Sequence, residues 1–203
     1  MPNPSVLLSD HRRAQLVKAL KDNLVLLLGA VAVTWGIEIL NTIFLGYFDR
    51  YGIQPCSITG LSGVLTSPFL HLGFGHLISN TLPSIMLGGL VLIGGWRVFL
   101  KATLFIILTG GLALWLLGPS ATNHIGASGL IFGYLGFLLA RGIVEKSLFG
   151  IVVSVVILLL YGRILCGVFP GQPGITWPRH LFGFMAGLLS ARVIFSRKKV
   201  SSL

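Results

Sequence analysis

The feature that most constrains this chain is its succession of long apolar runs separated by short polar or basic segments. A helix needs about 20 apolar residues to cross a hydrocarbon core of roughly 30 Å. Only 10% of the residues are charged, and the mean hydropathy is +0.91. These values exclude a water-soluble domain and predict an all-α polytopic membrane protein. Six candidate transmembrane helices are predicted, at 24–45, 75–95, 98–117, 128–141, 147–166 and 179–195.

The basic residues predict the orientation of the chain. The net charge is +10, but the basic side chains fall in short groups between apolar runs and form no nucleic-acid-binding stripe, so no nucleic acid partner is expected. If both ends are cytoplasmic, the outer segments hold only Arg50, Arg163 and Arg179 and the other twelve basic residues lie inside. This bias places both termini in the cytoplasm. The predicted parts are a cytoplasmic segment 1–23, a six-helix membrane domain 24–195 and a basic tail 196–203.

Two segments outside these runs are unusual. The first outer connection, 46–74, is predicted to lie in or on the membrane interface as short amphipathic helices. The stretch 118–127 is too rich in glycine and polar residues to be helix, and only 13 residues separate Ser128 from Ala140 at the end of the fourth run. Since 13 residues of helix span about 20 Å, Ser128 is expected about 10 Å below the outer surface of the core. The backbone before it would then re-enter the membrane and line a water-filled cavity.

Polar side chains that carry chemistry cluster at the outer ends of the predicted helices. Four of the five histidines lie there, and Asn80 follows His76 by one helical turn. His180 opens the sixth run at a depth that matches Ser128. A neutral imidazole in an apolar bundle suits a general base for a serine hydroxyl. No acidic residue is placed to complete a triad, so we predict a Ser128–His180 dyad.

Glycines predict how these two residues meet. Gly129 and Gly133 form a small-residue face on the fourth predicted helix, and Gly183 and Gly187 form another on the sixth. Such faces let two helices pack closely in a membrane. Close packing here would bring the serine and the histidine within hydrogen-bond distance.

Structural roles remain open for each candidate. Ser128 could cap the fourth helix, and His180 could be an interfacial histidine with a packing role. His76 and Asn80 could hydrogen-bond to each other and stabilise the packing of helices.

The remaining polar residues have structural explanations. His71 is expected to support the outer loop, and His124 to lie at the rim of the cavity. Glu38 is expected to pair with a donor in the outer loop. Cys56 and Cys166 could form a disulfide or remain buried thiols. They have no metal-ligand spacing, and neither a metal nor a cofactor is predicted.

Taken together, these motifs resemble those of the rhomboid intramembrane serine proteases, over about 46–195. The motifs are His71-x4-His76-x3-Asn80, Gly126-Ala127-Ser128-Gly129 with Gly133, and His180-x2-Gly183-x3-Gly187. The resemblance implies a rhomboid-like six-helix bundle in which Ser128 attacks the scissile carbonyl and His180 is its base. It implies that His76, Asn80 and the Ser128 backbone N–H bind the oxyanion.

The resemblance also implies a cellular role. The expected substrates are single-span membrane proteins, cleaved near the outer face at small residues in easily unwound helices, and the expected location is a bacterial cell membrane. A catalytically inactive rhomboid-like protein that binds or escorts membrane clients is the main alternative, although such proteins would be expected to lose the serine or the histidine. A small transporter or channel is a third possibility, but the sequence shows no internal repeat.

Overall fold

The computed structural model describes residues 4–146, 148–170 and 177–196, and nearly all of this part is helical. The isolated β-bridge between Ile53 and His124 is an exception. The α-helices of the described part are α1 (Pro4–Ile43), α2 (Gly63–Thr66), α3 (Phe74–Leu92), α4 (Trp96–Leu117), α5 (Ser128–Glu145), α6 (Leu148–Tyr161) and α7 (Trp177–Ser196).

Four helices of the described part are long and apolar enough to cross a membrane, namely the Lys21–Ile43 portion of α1 together with α3, α4 and α5. α6 is apolar but has 14 residues, and α7 has 20 residues that include Arg179, His180 and Arg192. Leu159 and Leu160 are 79% and 68% exposed, as expected for side chains that face lipid. The protein is an integral, multi-pass membrane protein.

Several helix boundaries differ from the sequence prediction. The fourth run, predicted as 128–141, continues as α5 to Glu145, and Arg141 forms an i,i+4 salt bridge of 2.9 Å with Glu145 in this last turn. This 18-residue helix spans about 27 Å. The predicted depth of Ser128 assumed a helix of 13 residues, so the length of α5 no longer supports that depth. In the fifth run, predicted as 147–166, α6 ends at Tyr161 and a 3₁₀ helix, Gly162–Val168, follows.

α5 lies at the centre of the bundle, and its contact with α7 is the most extensive between any two elements of the described part. A Cβ atom added to Gly183 would collide with the carbonyl oxygen of Gly129, and one added to Gly187 with that of Gly133. These backbones can approach so closely only because no side chain separates them. The close contact draws the first turn of α7 against the first turn of α5.

The first outer loop is folded and holds the chain that leads to Ser128. It contains α2 and the 3₁₀ helices Tyr47–Tyr51, Thr59–Leu61 and Ser67–Phe69. Ile53 and His124 exchange backbone hydrogen bonds of 3.0 and 2.9 Å, and the Gly126 N–H donates to the Ser67 carbonyl at 2.9 Å. The segment 118–127 is non-helical, as predicted, because its backbone bonds to this loop.

Candidate active site

Ser128 is the first residue of α5 and is half-buried. The N-cap is Ala127, with no side-chain cap bond, which excludes the interpretation of Ser128 as a cap. Its hydroxyl makes no hydrogen bond within the described part of the chain. The neighbouring Ala127 N–H donates to His71 Nε2 at 3.3 Å. The serine hydroxyl is therefore available to react, and His71 holds the backbone that precedes it.

The His180 ring is fixed by two contacts. It stacks on Phe132 with a centroid distance of 4.1 Å and an interplanar angle of 9°. Its Nδ1 lies 3.0 Å from the Gly167 carbonyl oxygen. Since a carbonyl can only accept, Nδ1 carries the proton and the neutral ring has its free lone pair on Nε2.

The position of Phe132 indicates where His180 lies relative to Ser128. It follows Ser128 by four residues on α5, so the two side chains lie on the same side of the helix, one turn apart. Side chains on a helix lean towards its N-terminus, so the Phe132 ring leans towards the turn that contains Ser128. No hydrogen bond joins Ser128 and His180 in the described structure. Their pairing stays a prediction, in keeping with the longer catalytic hydrogen bonds of enzymes without substrate.

His76 approaches the same backbone from α3. Its Nδ1 accepts the Leu72 N–H at 3.4 Å, which leaves the proton on Nε2. A Cβ atom added to Gly126 would lie 2.5 Å from Cε1 and 2.8 Å from Nε2 of this ring, so the imidazole packs directly on Gly126. Gly126 has a φ of +114° and precedes Ser128 by two residues. The ring N–H therefore lies beside the start of α5.

Asn80 is buried one turn further along α3. Its Nδ2 donates to the His76 backbone carbonyl at 2.8 Å, so its partner is the backbone of its own helix. The amide group has a second N–H. Asn80 also lines a cavity of about 70 Å³ whose walls include Ala127 and Leu130 of the Ser128 segment.

His71 and His124 are neutral structural residues beside these groups. Burial, followed by electrostatic interactions with His76 and Arg179, lowers the pKa of His71 to about 4. Burial and the charge of Arg179 likewise lower the pKa of His124 to about 4. His124 is only 2% exposed because it pairs with Ile53, so the prediction that it lies at a cavity rim is wrong.

Other polar residues have the following surroundings. Glu38 is 1% exposed, and its carboxylate interacts with the Gly73 backbone and the Asn41 side chain. Gly73 belongs to the outer loop, so this interaction agrees with the expectation that Glu38 pairs with a donor there.

Cys56 and Cys166 are unpaired and exposed, which contradicts both a disulfide and buried thiols. In the part of the chain that the structure describes, no group of three His, Cys, Asp or Glu side chains could hold a metal ion.

The sequence analysis missed three residues of this region. Phe132 could have been found from its spacing of four from Ser128. Arg179 was taken as a charge on the outer side, yet it is 5% exposed and packs against Gly129. Gly167 acts through its carbonyl group, which every residue has, and so leaves no signal in the sequence.

Comparisons with known proteins identify the family of this chain. A model of the Rhomboid domain matches residues 59–197. An uncharacterized Mycobacterium tuberculosis protein, Rv1337, is 40% identical over 172 residues, which are 81% of this chain and 72% of that protein. An uncharacterized Mycobacterium leprae protein is 34% identical over 84% of the chain and 70% of its own length. The Bacillus subtilis protein named "Putative rhomboid protease YdcA" is 30% identical over 67% of the chain and 68% of its own length. The chain belongs to the Rhomboid family.

Proposed function

We propose that this protein is an intramembrane serine endopeptidase with Ser128 as nucleophile and His180 as general base. The observation that carries the proposal is the arrangement of His180. Its Nδ1–H is held by the Gly167 carbonyl, and its ring lies on Phe132, one turn after Ser128 on the same side of α5. A neutral imidazole whose orientation is fixed through Nδ1 has Nε2 free to accept a proton.

The chemistry follows from this arrangement. The Ser128 hydroxyl attacks the scissile carbonyl as His180 Nε2 takes its proton, and the imidazolium then protonates the leaving amine. The resulting ester to Ser128 is hydrolysed by water, with the same histidine as base. The Gly167 carbonyl supplies the orientation that an aspartate provides in a triad.

Three donors support stabilisation of the tetrahedral oxyanion. The His76 ring has its proton on Nε2 beside Gly126, and Asn80 has a second N–H beyond its bond to the His76 carbonyl. The Ser128 backbone N–H belongs to the first turn of α5, where N–H groups have no partner within the helix. Removing one such donor costs about 2.7–4 kcal/mol in a serine protease.

The proposal includes a topology. Six helices, α1 and α3 to α7, cross the membrane with both termini in the cytoplasm, and the segment before α5 re-enters the membrane. The proposed substrates are single-span proteins cut near the outer face. The positive-inside distribution, the exposed apolar side chains and the bacterial relatives support a bacterial cell membrane as the location.

The test is cleavage of a single-span reporter reconstituted with the purified protein. Wild type is expected to cut, whereas Ser128→Ala and His180→Ala are expected to lose activity. Ser57→Ala, in the exposed part of the outer loop, is the matched control and should cut like wild type. Cleavage by Ser128→Ala would refute the mechanism.

A second measurement separates this proposal from the client-binding alternative. A fluorophosphonate reacts with an activated serine hydroxyl, so wild type should be labelled and Ser128→Ala should not. A folded wild type that still captures single-span proteins but takes no label would favour the inactive, escorting protein.

A further inference from the structure

Arg179 is a buried cation beside the proposed active site. Only 5% of its surface is exposed, and its Nη1 atom has no hydrogen-bond partner. A Cβ atom added to Gly129 would lie 3.2 Å from both Cγ and Nε of Arg179, so only a glycine separates this side chain from the first turn of α5. An arginine stays charged in proteins, and a buried charge without a partner is strongly unfavourable.

Nothing in the described part of the chain neutralises this charge. The salt bridge there joins Arg141 to Glu145, at the opposite end of α5. Asp49 of the outer loop accepts from the Asn41 side chain, and Glu38 interacts with Gly73 and Asn41.

The guanidinium borders a cavity of about 30 Å³ beneath the first outer loop. Most of its wall is apolar, with Ile53, Val64 and Leu114 among the buried lining residues. The lining also includes Arg179, Ser67, and Gly129 and Leu130 of the first turn of α5.

The first turn of α5, which contributes to this lining, favours negative charge as the guanidinium does. The first intrahelical bond recorded at the start of α5 runs from the Ile131 N–H to the Ala127 carbonyl, so the Gly129 and Leu130 N–H groups precede it. Unpartnered N–H groups at a helix N-terminus carry partial positive charge. The Ser67 hydroxyl can also donate.

We propose that this cavity is a binding site for a small inorganic anion of the size of chloride, held by the Arg179 guanidinium. The size is limited because the cavity has a volume of only about 30 Å³ between residues of the outer loop, α4, α5 and α7. The anion supplies the missing counter-charge and joins the outer loop to the first turns of α5 and α7. The site is independent of the proposed proteolysis.

The test is the dependence of thermal stability on chloride, measured in detergent in a Ser128→Ala background so that proteolysis plays no part. Sodium gluconate replaces sodium chloride at constant ionic strength. A ligand that binds only the folded state should raise Tm by roughly 3–5 °C for each tenfold increase in chloride above its dissociation constant. An equal Tm in chloride and gluconate at all concentrations would overturn the proposal.

Variants link the effect to the site. Arg179→Gln should lose the chloride dependence and Arg179→Lys should keep a weaker one. Arg192→Gln, which removes an exposed charge from the same helix, should keep all of it. An equal chloride response in Arg179→Gln and Arg192→Gln would assign the effect to general salt stabilisation and refute the site.

A direct measurement keeps the proposal testable if Arg179→Gln fails to fold. Crystals of the protein with Arg179 intact, grown in sodium bromide, should show an anomalous peak in the cavity beside the guanidinium. Water alone at that position, with no bromide peak, would refute anion binding.

Discussion

Substitution of Gly187 by alanine tests the contact between α5 and α7 on which the proposed dyad depends. The added Cβ would collide with the Gly133 carbonyl oxygen and would lie 2.8 Å from the Phe137 nitrogen, against the 3.4 Å of ordinary contact. Both neighbours are backbone atoms of α5, so no side chain can rotate away. Relief of the contact with the Phe137 nitrogen alone requires 0.6 Å, the difference between 3.4 and 2.8 Å, and the nearer Gly133 oxygen requires the helices to separate further.

The expected cost follows from this separation. A gap of 0.5–1 Å forfeits about a quarter to a half of the attraction at each contact. Overpacking of this kind lowers the free energy of unfolding by about 2–3 kcal/mol. For a chain of this length, that corresponds to a fall in Tm of about 4–12 °C. Thermal unfolding in detergent, followed by circular dichroism, measures it.

Gly36→Ala is the matched control. A Cβ atom at Gly36 on α1 would meet nothing within 4 Å. Because alanine favours helix over glycine by about 0.5–1 kcal/mol, this variant should unfold at the same or a slightly higher temperature than wild type. Equal Tm values for Gly187→Ala and Gly36→Ala would refute the close α5–α7 contact. Reporter cleavage should fall in Gly187→Ala alone, since only that change moves His180 relative to Ser128.

Three further predictions address the groups around this contact. Asn80→Ala should lower kcat by about 10²-fold in the reporter assay if its amide binds the oxyanion, and an unchanged kcat would return it to a packing role. Tyr134→Phe removes a hydroxyl bond of 2.7 Å to Thr103 and should cost about 0.5–1.5 kcal/mol in thermal unfolding, with cleavage retained. The pKa of His71 and His124 falls from 6.5 to about 4, so the folded protein binds fewer protons than the unfolded chain between these values. Stability should therefore be full above about pH 6.5 and decline towards pH 4, and a flat profile of Tm against pH would contradict it.

The sequence predicted the membrane class and most helix positions because hydropathy over 20 residues depends on local composition. It predicted the end of α5 less well, because the loss of hydropathy at Arg141 does not end the helix, which continues to Glu145. The burial of His124 could not be predicted either. It depends on a backbone bridge to Ile53, and such a contact between distant segments has no periodicity in either one.

The same distinction applies to the candidate site. Ser128 and His180 stand out because polar groups at the ends of apolar helices are costly and need an explanation. The role of His71 towards Ala127 and the Gly167 hydrogen bond to His180 arise only when loops fold back on the bundle. These contacts orient the catalytic groups. They use backbone groups that every residue has, so the sequence does not reveal them.

The Gly167 contact also accounts for the lack of an acidic third member in the proposed dyad. A carboxylate beside His180 would bury a further charge, at a desolvation cost. A backbone carbonyl fixes the same tautomer without burying a charge. The carbonyl group lies close to both rings, since a Cβ atom on Gly167 would lie 3.1 Å from Phe132 and 3.2 Å from His180 Nδ1. The glycine, the stacked phenylalanine and the histidine therefore form one unit, in which the base is oriented by packing and a neutral acceptor.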